Sequence, residues 1–309
     1  GGLEAFVEYC DPAFPVLRRM AHETVKLGAD NPDNYYFNAA ISGEYEYVIR
    51  GKRNSVHYIG FFTQNGNYGT TGGLAPCGSL EHTALQVEAD GSFEIFLSRS
   101  PKGNNWLKIE PETTMVMVRQ TFLDRFLEIP AEVTIENLDG RKAPGPVTPA
   151  MIDDGLKTAS MFVAGASLMF AKWANGFQKH TNSLLLFDPE ISNAAGGDAS
   201  IVYYHSHWKL AHDESLVIRV KPPACDSWNF QLNNYWMESL DYRYFTICIN
   251  KASAHYEPDG SVIITVAHHD PGTPNWINTC SHTEGTMLWR WYRLMEGGET
   301  DETQCKGEG

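Results

Sequence analysis

Histidines and acidic residues gather in the C-terminal third of the sequence at spacings that suit acid/base chemistry. His268, His269 and Asp270 are consecutive, and His282 follows a dozen residues later. A histidine beside a carboxylate is the minimum unit for general acid/base catalysis near neutral pH. The motif predicts one of the adjacent histidines as a base, Asp270 or Asp241 as its orienting group, and His282 as a second acid or base. The alternative is that Asp-Pro-Gly forms a tight turn and the histidines are surface residues.

A second pair of histidines, His205 and His207, lies inside an apolar run. Residues at i and i+2 share one face of a strand, which is the arrangement that metal sites in β-barrels use. The spacing resembles the cupin pattern, but the glutamate that would complete it comes too late. A divalent metal at His205 and His207 is therefore the lesser alternative, and we predict no cofactor.

Residues 228–236 alternate aromatic residues with amides, as on a strand that faces a polar cleft. Tryptophans and amides together form a platform for a sugar or a polar ring system. The alternative is a half-buried strand whose solvent face consists of Asn and Gln. The predicted substrate-binding residues are Trp228, Gln231, Asn233, Trp236, Trp276 and Arg243.

The sequence also contains a diverged copy of part of itself. Residues 88–107 and 257–277 both read an acid, any one residue, Asp-Gly-Ser, an alternating apolar strand, a Pro/Gly turn and Asn-Trp. A repeat at about 170 residues is a domain-sized unit used twice rather than a solenoid. We therefore expect two β-units related by internal duplication.

Arg119 and Arg290 occupy equivalent positions in the strand that follows each copy. An arginine present in both copies favours a structural role over substrate binding. Because carboxylates are the strongest partners of a guanidinium, we expect each arginine to pair with an aspartate such as Asp90 or Asp259.

The fold class predicted from these patterns is mainly β with helical additions, as two jelly-roll-like antiparallel β-sandwich units. Apolar residues at helical spacing over residues 3–28 predict an N-terminal helix, and the same spacing recurs from about residue 150 to 180. The predicted organisation is a helical N-terminal segment at 1–34, a first β-sandwich at 35–138, a linker and helical insert at 139–198, a second β-sandwich at 199–295 and a flexible tail at 296–309.

Composition excludes several classes of protein. The 309 residues carry a net charge of −14, which disfavours binding to nucleic acid or anionic membranes. There is no run of 18 apolar residues to span a bilayer. Six cysteines without a CxxC motif favour a reduced, cytoplasmic protein, although a start at Gly-Gly rather than Met leaves open a removed leader. The absence of GxGxxG, GxxxxGK[ST], GxSxG and HExxH disfavours nucleotide-dependent enzymes, α/β-hydrolases and zincins.

Several motifs together resemble a bacterial family. They are the Asn-Pro-Asp-Asn-Tyr-Tyr run at 31–36, the strand at 47–51, the two Asp-Gly-Ser…Asn-Trp blocks, and the segment 270–279 with Arg290-Trp291 behind it. They resemble domain of unknown function 1214, often joined to domain of unknown function 1254, over residues 30–293. The resemblance implies two jelly-roll-like β domains with helical additions and a homo-oligomer. It carries over no catalytic residue.

The leading functional hypothesis is an enzyme that uses no organic cofactor and acts by acid/base chemistry, as a hydrolase, lyase or isomerase. Its substrate would be a small apolar or aromatic molecule. The alternative is a non-catalytic protein that binds a ligand or glycan, in which the strand at 228–236 matters and the histidines do not. The third is a metal-dependent oxygenase built on His205 and His207.

Overall fold

Alternating apolar and polar residues form the β-strands that dominate the regular secondary structure of the chain. The structure is a computed structural model that describes residues 1–140 and 143–295, and the backbone of 307–308. The chain divides into two units. Unit 1 comprises residues 1–25, 33–166 and 194–196, and unit 2 comprises residues 26–32, 167–193 and 197 to the end of the described chain.

Unit 1 is a β-sandwich of two sheets. Its strands are β1 (Arg18–Ala21), β2 (Asn34–Ala40), β3 (Tyr47–Lys52), β4 (Tyr58–Asn65), β5 (Ala75–Glu81), β6 (Ser92–Ser98), β7 (Trp106–Lys108), β8 (Thr113–Thr121) and β9 (Glu132–Asn137). One sheet has the order β1-β2-β8-β4-β5 and the other the order β7-β6-β3-β9. Apolar residues from both sheets, such as Ile59, Phe61 and Ile95, are fully buried in one core between them.

Unit 2 contains the same arrangement of strands. They are β10 (Leu185–Leu186), β11 (Ile201–Lys209), β12 (Ser215–Val220), β13 (Cys225–Asn233), β14 (Cys248–Asn250), β15 (Val262–Ala267), β16 (Trp276–Asn278), β17 (Glu284–Leu294) and β18 (Gly307–Glu308). The sheets have the orders β10-β11-β17-β13-β14 and β16-β15-β12-β18, which match unit 1 strand for strand. All pairs are antiparallel except β6 with β7 and β15 with β16, which are parallel.

The repeated sequence blocks make the same contacts in both units. The amide of Asn105 receives a bond from the Gln86 N–H and donates to the Gln86 and Glu94 carbonyls. The amide of Asn275 does the same with His255 and Ile263. Each following tryptophan donates its indole N–H to the end of the preceding strand, at 3.1 Å. The Asn-Trp pair is therefore a structural clip, and the shared contacts are what an internal duplication predicts.

The described residues contain one long helix and three short helical segments. A π-helical turn spans Glu4–Glu8, α1 spans Pro149–Phe177, a 3-10 turn spans Gln178–His180 and α2 spans Pro189–Ala194. The helix expected over 3–28 was wrong. Pro12 and Pro15 remove backbone donors, and the chain then pairs as β1 with β2. The helix predicted from about residue 150 is present as α1.

The predicted fold class, mainly β with antiparallel sandwich units, is confirmed. Among the described residues, no helix combines the length and the apolar character needed to cross a lipid bilayer. The predicted flexible tail lies outside the described residues, apart from the strand Gly307–Glu308.

Stacked tryptophans should dominate the stability of unit 2. Trp289 is completely buried and stacks on Trp228 at 5.0 Å. Trp289→Leu should lower the free energy of unfolding by about 3 kcal/mol, because it leaves a cavity in the core. Trp236 is 58% exposed, so Trp236→Leu should change it by less than about 0.5 kcal/mol. Urea unfolding of both variants measures the difference, and equal losses would contradict this assignment of the core.

Candidate functional site

The five-stranded sheet of unit 2 is buried on both faces. One face carries Trp228, Phe230 and Trp289 in the apolar core. The other face is polar, because cross-strand partners share a face and Arg290 stands between Tyr203 and Asn229. The polar face is therefore a candidate site, since buried polar groups require partners.

The segment 26–32, which belongs to unit 2, contacts this polar face. The Asn31 amide donates to the Tyr292 hydroxyl at 2.9 Å, and the Gln231 amide donates to the Asp30 carbonyl at 3.0 Å. The Asn229 amide donates to Asn31 Oδ1 at 3.3 Å. Residues about 200 positions apart in the sequence thus form one buried hydrogen-bonded network.

Arg290 lies at the centre of this network and is 5% exposed. Its Nη1 donates to Asn229 Oδ1 at 3.2 Å and to Gln231 Oε1 at 2.6 Å, and its Nη2 donates to the Ala29 carbonyl. All three acceptors are neutral. A guanidinium has five N–H donors, so one on Nε and one on Nη2 remain without a partner among the described residues.

Asp30 is the carboxyl group buried beside this network. Its Oδ1 accepts from the Ser239 N–H at 3.1 Å and its Oδ2 from the Ser239 hydroxyl at 2.7 Å. Burial raises the pKa of Asp30, while these hydrogen bonds and the charges of Lys26 and Arg290 oppose that increase. Both carboxyl oxygens thus accept hydrogen bonds from Ser239, and the charge of Arg290 acts on Asp30 without a hydrogen bond between the two side chains.

His205 lies in an aromatic cluster on the same face of the sheet. Its ring stacks on Phe177 at 5.0 Å and an angle of 8°, and the edge of Phe187 approaches at 4.9 Å. Burial, assisted by the charge of Arg290, lowers the pKa of His205 to about 3. The imidazole is therefore neutral at physiological pH. Its Nδ1 is buried and has no hydrogen-bond partner within the described part of the chain.

Asn233 carries a second polar atom of this kind. Its Oδ1 accepts from the Gln231 amide at 2.6 Å, but its buried Nδ2 has no partner in the described residues. Gln231 and Asn233, predicted to bind substrate, thus lie on the polar face, while Trp228 lies on the opposite face in the core. The strand period separates them, so the prediction of one platform containing all three was wrong.

The predicted acid/base residues lie at the ends of β15 and β16. Asp270 accepts from the Gly272 N–H at 2.8 Å, as the tight-turn alternative predicts, and its carboxylate forms no hydrogen bond with His268 or His269. His268 bonds to Thr279 Oγ1 at 2.8 Å and to the Ala211 carbonyl at 3.1 Å, so both its ring nitrogens hold the fold together. His269 and Asp270 are exposed. The structure does not assemble a His–Asp dyad from these residues.

His282 differs from the other histidines. In the neutral form its Nδ1 donates to the carbonyls of Thr279 and Cys280, at 3.2 and 3.1 Å, because carbonyls only accept. Nε2 then carries the lone pair on an exposed side chain. Burial raises the pKa of the neighbouring Cys280 thiol to about 11, so this thiol is not an activated nucleophile.

Asp241 and Arg243 form an ion pair with each other. Arg243 donates from Nε at 2.9 Å and from Nη2 at 2.8 Å, and these bonds lower the pKa of Asp241 to about 2. The carboxylate therefore does not orient a histidine. Trp236 is exposed and Trp276 serves as the structural clip, so neither reaches the polar face through the contacts observed.

The two histidines predicted as an alternative metal site are both buried. His207 Nδ1 bonds to Thr181 Oγ1 at 3.0 Å, and Nε2 lies 3.9 Å from Glu284. Within residues 1–140 and 143–295, no group of three His, Cys, Asp or Glu side chains is arranged to hold a metal. The donor set thus does not fit a metal centre at His205 and His207.

The prediction that Asp90 and Asp259 pair with the repeated arginines was wrong. Asp90 and Asp259 each accept hydrogen bonds from the serine two residues later, because an Asp-Gly-Ser turn satisfies its own carboxylate. Arg119 instead lies near the rings of Phe62 and Tyr36, at 5.2 and 6.0 Å. Sequence reasoning also missed Asp30 and Asn31. The only signal for Asn31 was its position in the family-like run at 31–36, and Asp30 directly precedes that run.

Comparison with known proteins gives a family and a fold. The sequence pattern of DUF1214, a protein of unknown function, matches residues 69–121 and 207–294. The crystal structure of an uncharacterised protein from Burkholderia cenocepacia is 45% identical and covers 99% of this chain and 84% of its own, with a TM-score of 0.95. The VPA0106 protein from Vibrio parahaemolyticus is 12% identical over 99% of this chain and 94% of its own, with a TM-score of 0.58, and shares the fold. No curated protein matches the sequence.

The lowered pKa of His205 predicts a specific dependence of stability on pH. The unfolded chain binds a proton near the ordinary pKa of about 6.5, whereas the folded state stays neutral down to about 3, so stability falls as the pH drops below 6.5. His205→Phe keeps the stacked ring and removes this term. The loss of unfolding free energy between pH 7 and pH 5 should therefore be about 2 kcal/mol smaller in the variant. Urea unfolding at both pH values measures it, and identical pH dependences would refute the assignment.

Proposed function

We propose that this chain, which belongs to the DUF1214 family of proteins of unknown function, binds a small organic acid on the polar sheet face of unit 2. The observation that supports this proposal is the pair of unsatisfied N–H donors on Nε and Nη2 of buried Arg290. Donors on adjacent guanidinium nitrogens match the two oxygens of a carboxylate.

The electrostatics of the site favour an anion. A buried cation without a counterion is costly, and amide oxygens offset only part of that cost. The one carboxyl group in the network, Asp30, is engaged by Ser239, and burial raises its pKa. An incoming carboxylate would neutralise the Arg290 charge and satisfy its two remaining donors.

The aromatic cluster around His205 indicates what kind of body the carboxylic acid should have. His205 is packed by Phe177, Tyr203 and Phe187, and Phe187 in turn contacts Trp173 at 4.7 Å. These rings adjoin the Arg290 face, since Tyr203 is the direct cross-strand partner of Arg290. The proposed ligand class is therefore a small carboxylic acid with an aromatic or apolar body, bound without an organic cofactor.

Two further properties belong to the proposal. The described cysteines, at positions 10, 77, 225, 248 and 280, are free thiols, which supports a reducing, cytoplasmic location. Self-association into a homo-oligomer is the second.

Acid/base catalysis is a second candidate function, favoured by the geometry of His282. Its Nδ1 is fixed by two carbonyls, so the lone pair on Nε2 faces outward as that of a general base would. A hydrolase, lyase or isomerase using this group would act on the same class of small aromatic molecule.

The anion-binding proposal predicts a preference for acids over amides. Benzoate, phenylacetate and cinnamate should bind, whereas their uncharged primary amides should bind at least 10-fold more weakly, because only a carboxylate pairs with Arg290. Asn229→Asp places an internal carboxylate beside Arg290 and should abolish acid binding at the cost of two long amide hydrogen bonds. Isothermal titration calorimetry measures both effects.

The matched control for that experiment is Asn278→Asp. It adds the same charge in unit 2 but on β16, in the other sheet, where its oxygen can still accept from the Cys280 N–H. Acid binding by this control should equal that of the wild type. Equal affinity for acids and amides, or no binding of any acid in the panel, would refute the proposal.

The acid/base candidate makes a separate prediction. If His282 is the base, His282→Gln should lower the turnover of aromatic esters by about 100-fold or more. His255→Gln, a change at another exposed histidine of unit 2, should leave turnover unchanged. Absence of turnover in the wild type, or equal rates in both variants, would exclude this chemistry and leave the binding function.

A further inference from the structure

Unit 1 exposes a group of large apolar side chains on the connection between β8 and β9. Phe126 is 86% exposed, Leu127 80% and Ile129 59%. We refer to residues 124–129 as the knuckle. Its three apolar side chains expose on the order of 400 Å², a patch size that marks interaction sites on soluble proteins.

The knuckle is held by the carboxylate of Glu128. Oε1 accepts from the N–H groups of Leu123 and Asp124, at 2.9 and 2.8 Å, and Oε2 accepts from the His57 N–H at 2.6 Å. One carboxylate therefore ties the start of the knuckle to the segment before β4. Three charge-assisted bonds on a single carboxylate fix the backbone firmly.

Asp124 and Ser55 fix the rest of the knuckle. Asp124 Oδ1 accepts from the N–H groups of Phe126 and Leu127, at 2.9 and 3.2 Å, and Ser55 Oγ accepts from the Ile129 N–H at 2.8 Å. The chain thus uses six side-chain hydrogen bonds to hold three apolar residues in water. A rigid apolar projection costs little entropy when a partner covers it, which is the property of interface anchors.

We propose that the knuckle is the contact through which two copies of this chain associate, knuckle against knuckle about a twofold axis. This inference rests on the self-association proposed above and is independent of the Arg290 site. A stable dimer needs roughly 800 Å² from each partner, with an apolar centre and a polar rim. The knuckle supplies about half of that area as the centre, and the polar residues around it supply the rim.

The charge around the knuckle favours a second copy. The whole chain carries −14, so two copies repel each other over most of their surface. Within residues 53–57 and 123–131, however, Arg53 and Arg125 balance Asp124 and Glu128, counting histidine as neutral. The guanidinium of Arg125 lies 5.4 Å from the Phe126 ring, as at many interface centres. A twofold contact here brings together surfaces without net charge.

The test is the mass of the full chain in solution. Sedimentation velocity from about 0.1 to about 100 µM should show a concentration-dependent dimer, with the double variant Phe126→Ser, Leu127→Ser raising its dissociation constant by roughly 100-fold or more. Leu168→Ser is the matched control, since it removes a leucine that is 73% exposed on α1. It should leave the dissociation constant unchanged. Circular dichroism melting checks that all variants are folded.

A crosslinking experiment tests the twofold geometry separately. Leu127→Cys should oxidise to a covalent dimer, because the axis brings the two copies of this residue together, whereas Leu168→Cys should not. A wild type that stays monomeric, a double variant that dimerises like the wild type, or a failure of Leu127→Cys to crosslink would overturn the proposal.

Binding of a monomeric wild type to neutral lipid vesicles would overturn it in favour of a lipid surface. Acid binding in the same samples shows whether the Arg290 proposal stands independently.

Discussion

The burial of a cation constrains the rest of unit 2. Arg290 stands on the central strand of a sheet whose other face is a tryptophan core, so it cannot reach water by leaving the sheet. Its charge must be satisfied where it is, and that requirement explains the amides of Asn229 and Gln231 and the course of the segment 26–32. It also accounts for the left-handed backbone of Ala29, at φ 57°, which directs that residue's carbonyl at the guanidinium.

Much of the fold could be predicted because local sequence patterns determine its strands and turns. Alternating apolar residues predict strands such as β6 and β15. The turns next to these strands contain Asp-Gly and Pro-Gly. The prediction of a helix over residues 3–28 was wrong because contacts distant in the sequence decide the structure of this segment. Helical spacing of apolar residues is equally consistent with a chain that packs irregularly and then pairs as β1, and the two prolines decide between these outcomes.

The site could be predicted only in part, because its contacts are not local. Neighbouring His and Asp residues suggested acid/base chemistry. The carboxylates of Asp270 and Asp90, however, accept hydrogen bonds from backbone N–H groups within their own turns. The contacts that organise the polar face join residues 26–32 to β13 and β17, and no spacing in the sequence encodes that pairing. Gln231 and Asn233 were recognised from their alternation, which is a local signal, whereas the role of Arg290 depended on partners far along the chain.

The equivalent arginines show where the two units diverge chemically. Arg119 and Arg290 each have a tyrosine as cross-strand partner on one side, Tyr36 and Tyr203. On the other side unit 1 has Gly60, where an added Cβ would come within 2.8 Å of the Phe62 ring, so an aromatic ring occupies the space above the strand. Unit 2 has Asn229 and Gln231 at the corresponding positions and holds its guanidinium with hydrogen-bond acceptors. Aromatic rings lie over the guanidinium of Arg119, whereas neutral amide oxygens accept hydrogen bonds from that of Arg290. The same sheet position therefore faces aromatic side chains in unit 1 and amide acceptors in unit 2, and the acid-binding proposal depends on this difference.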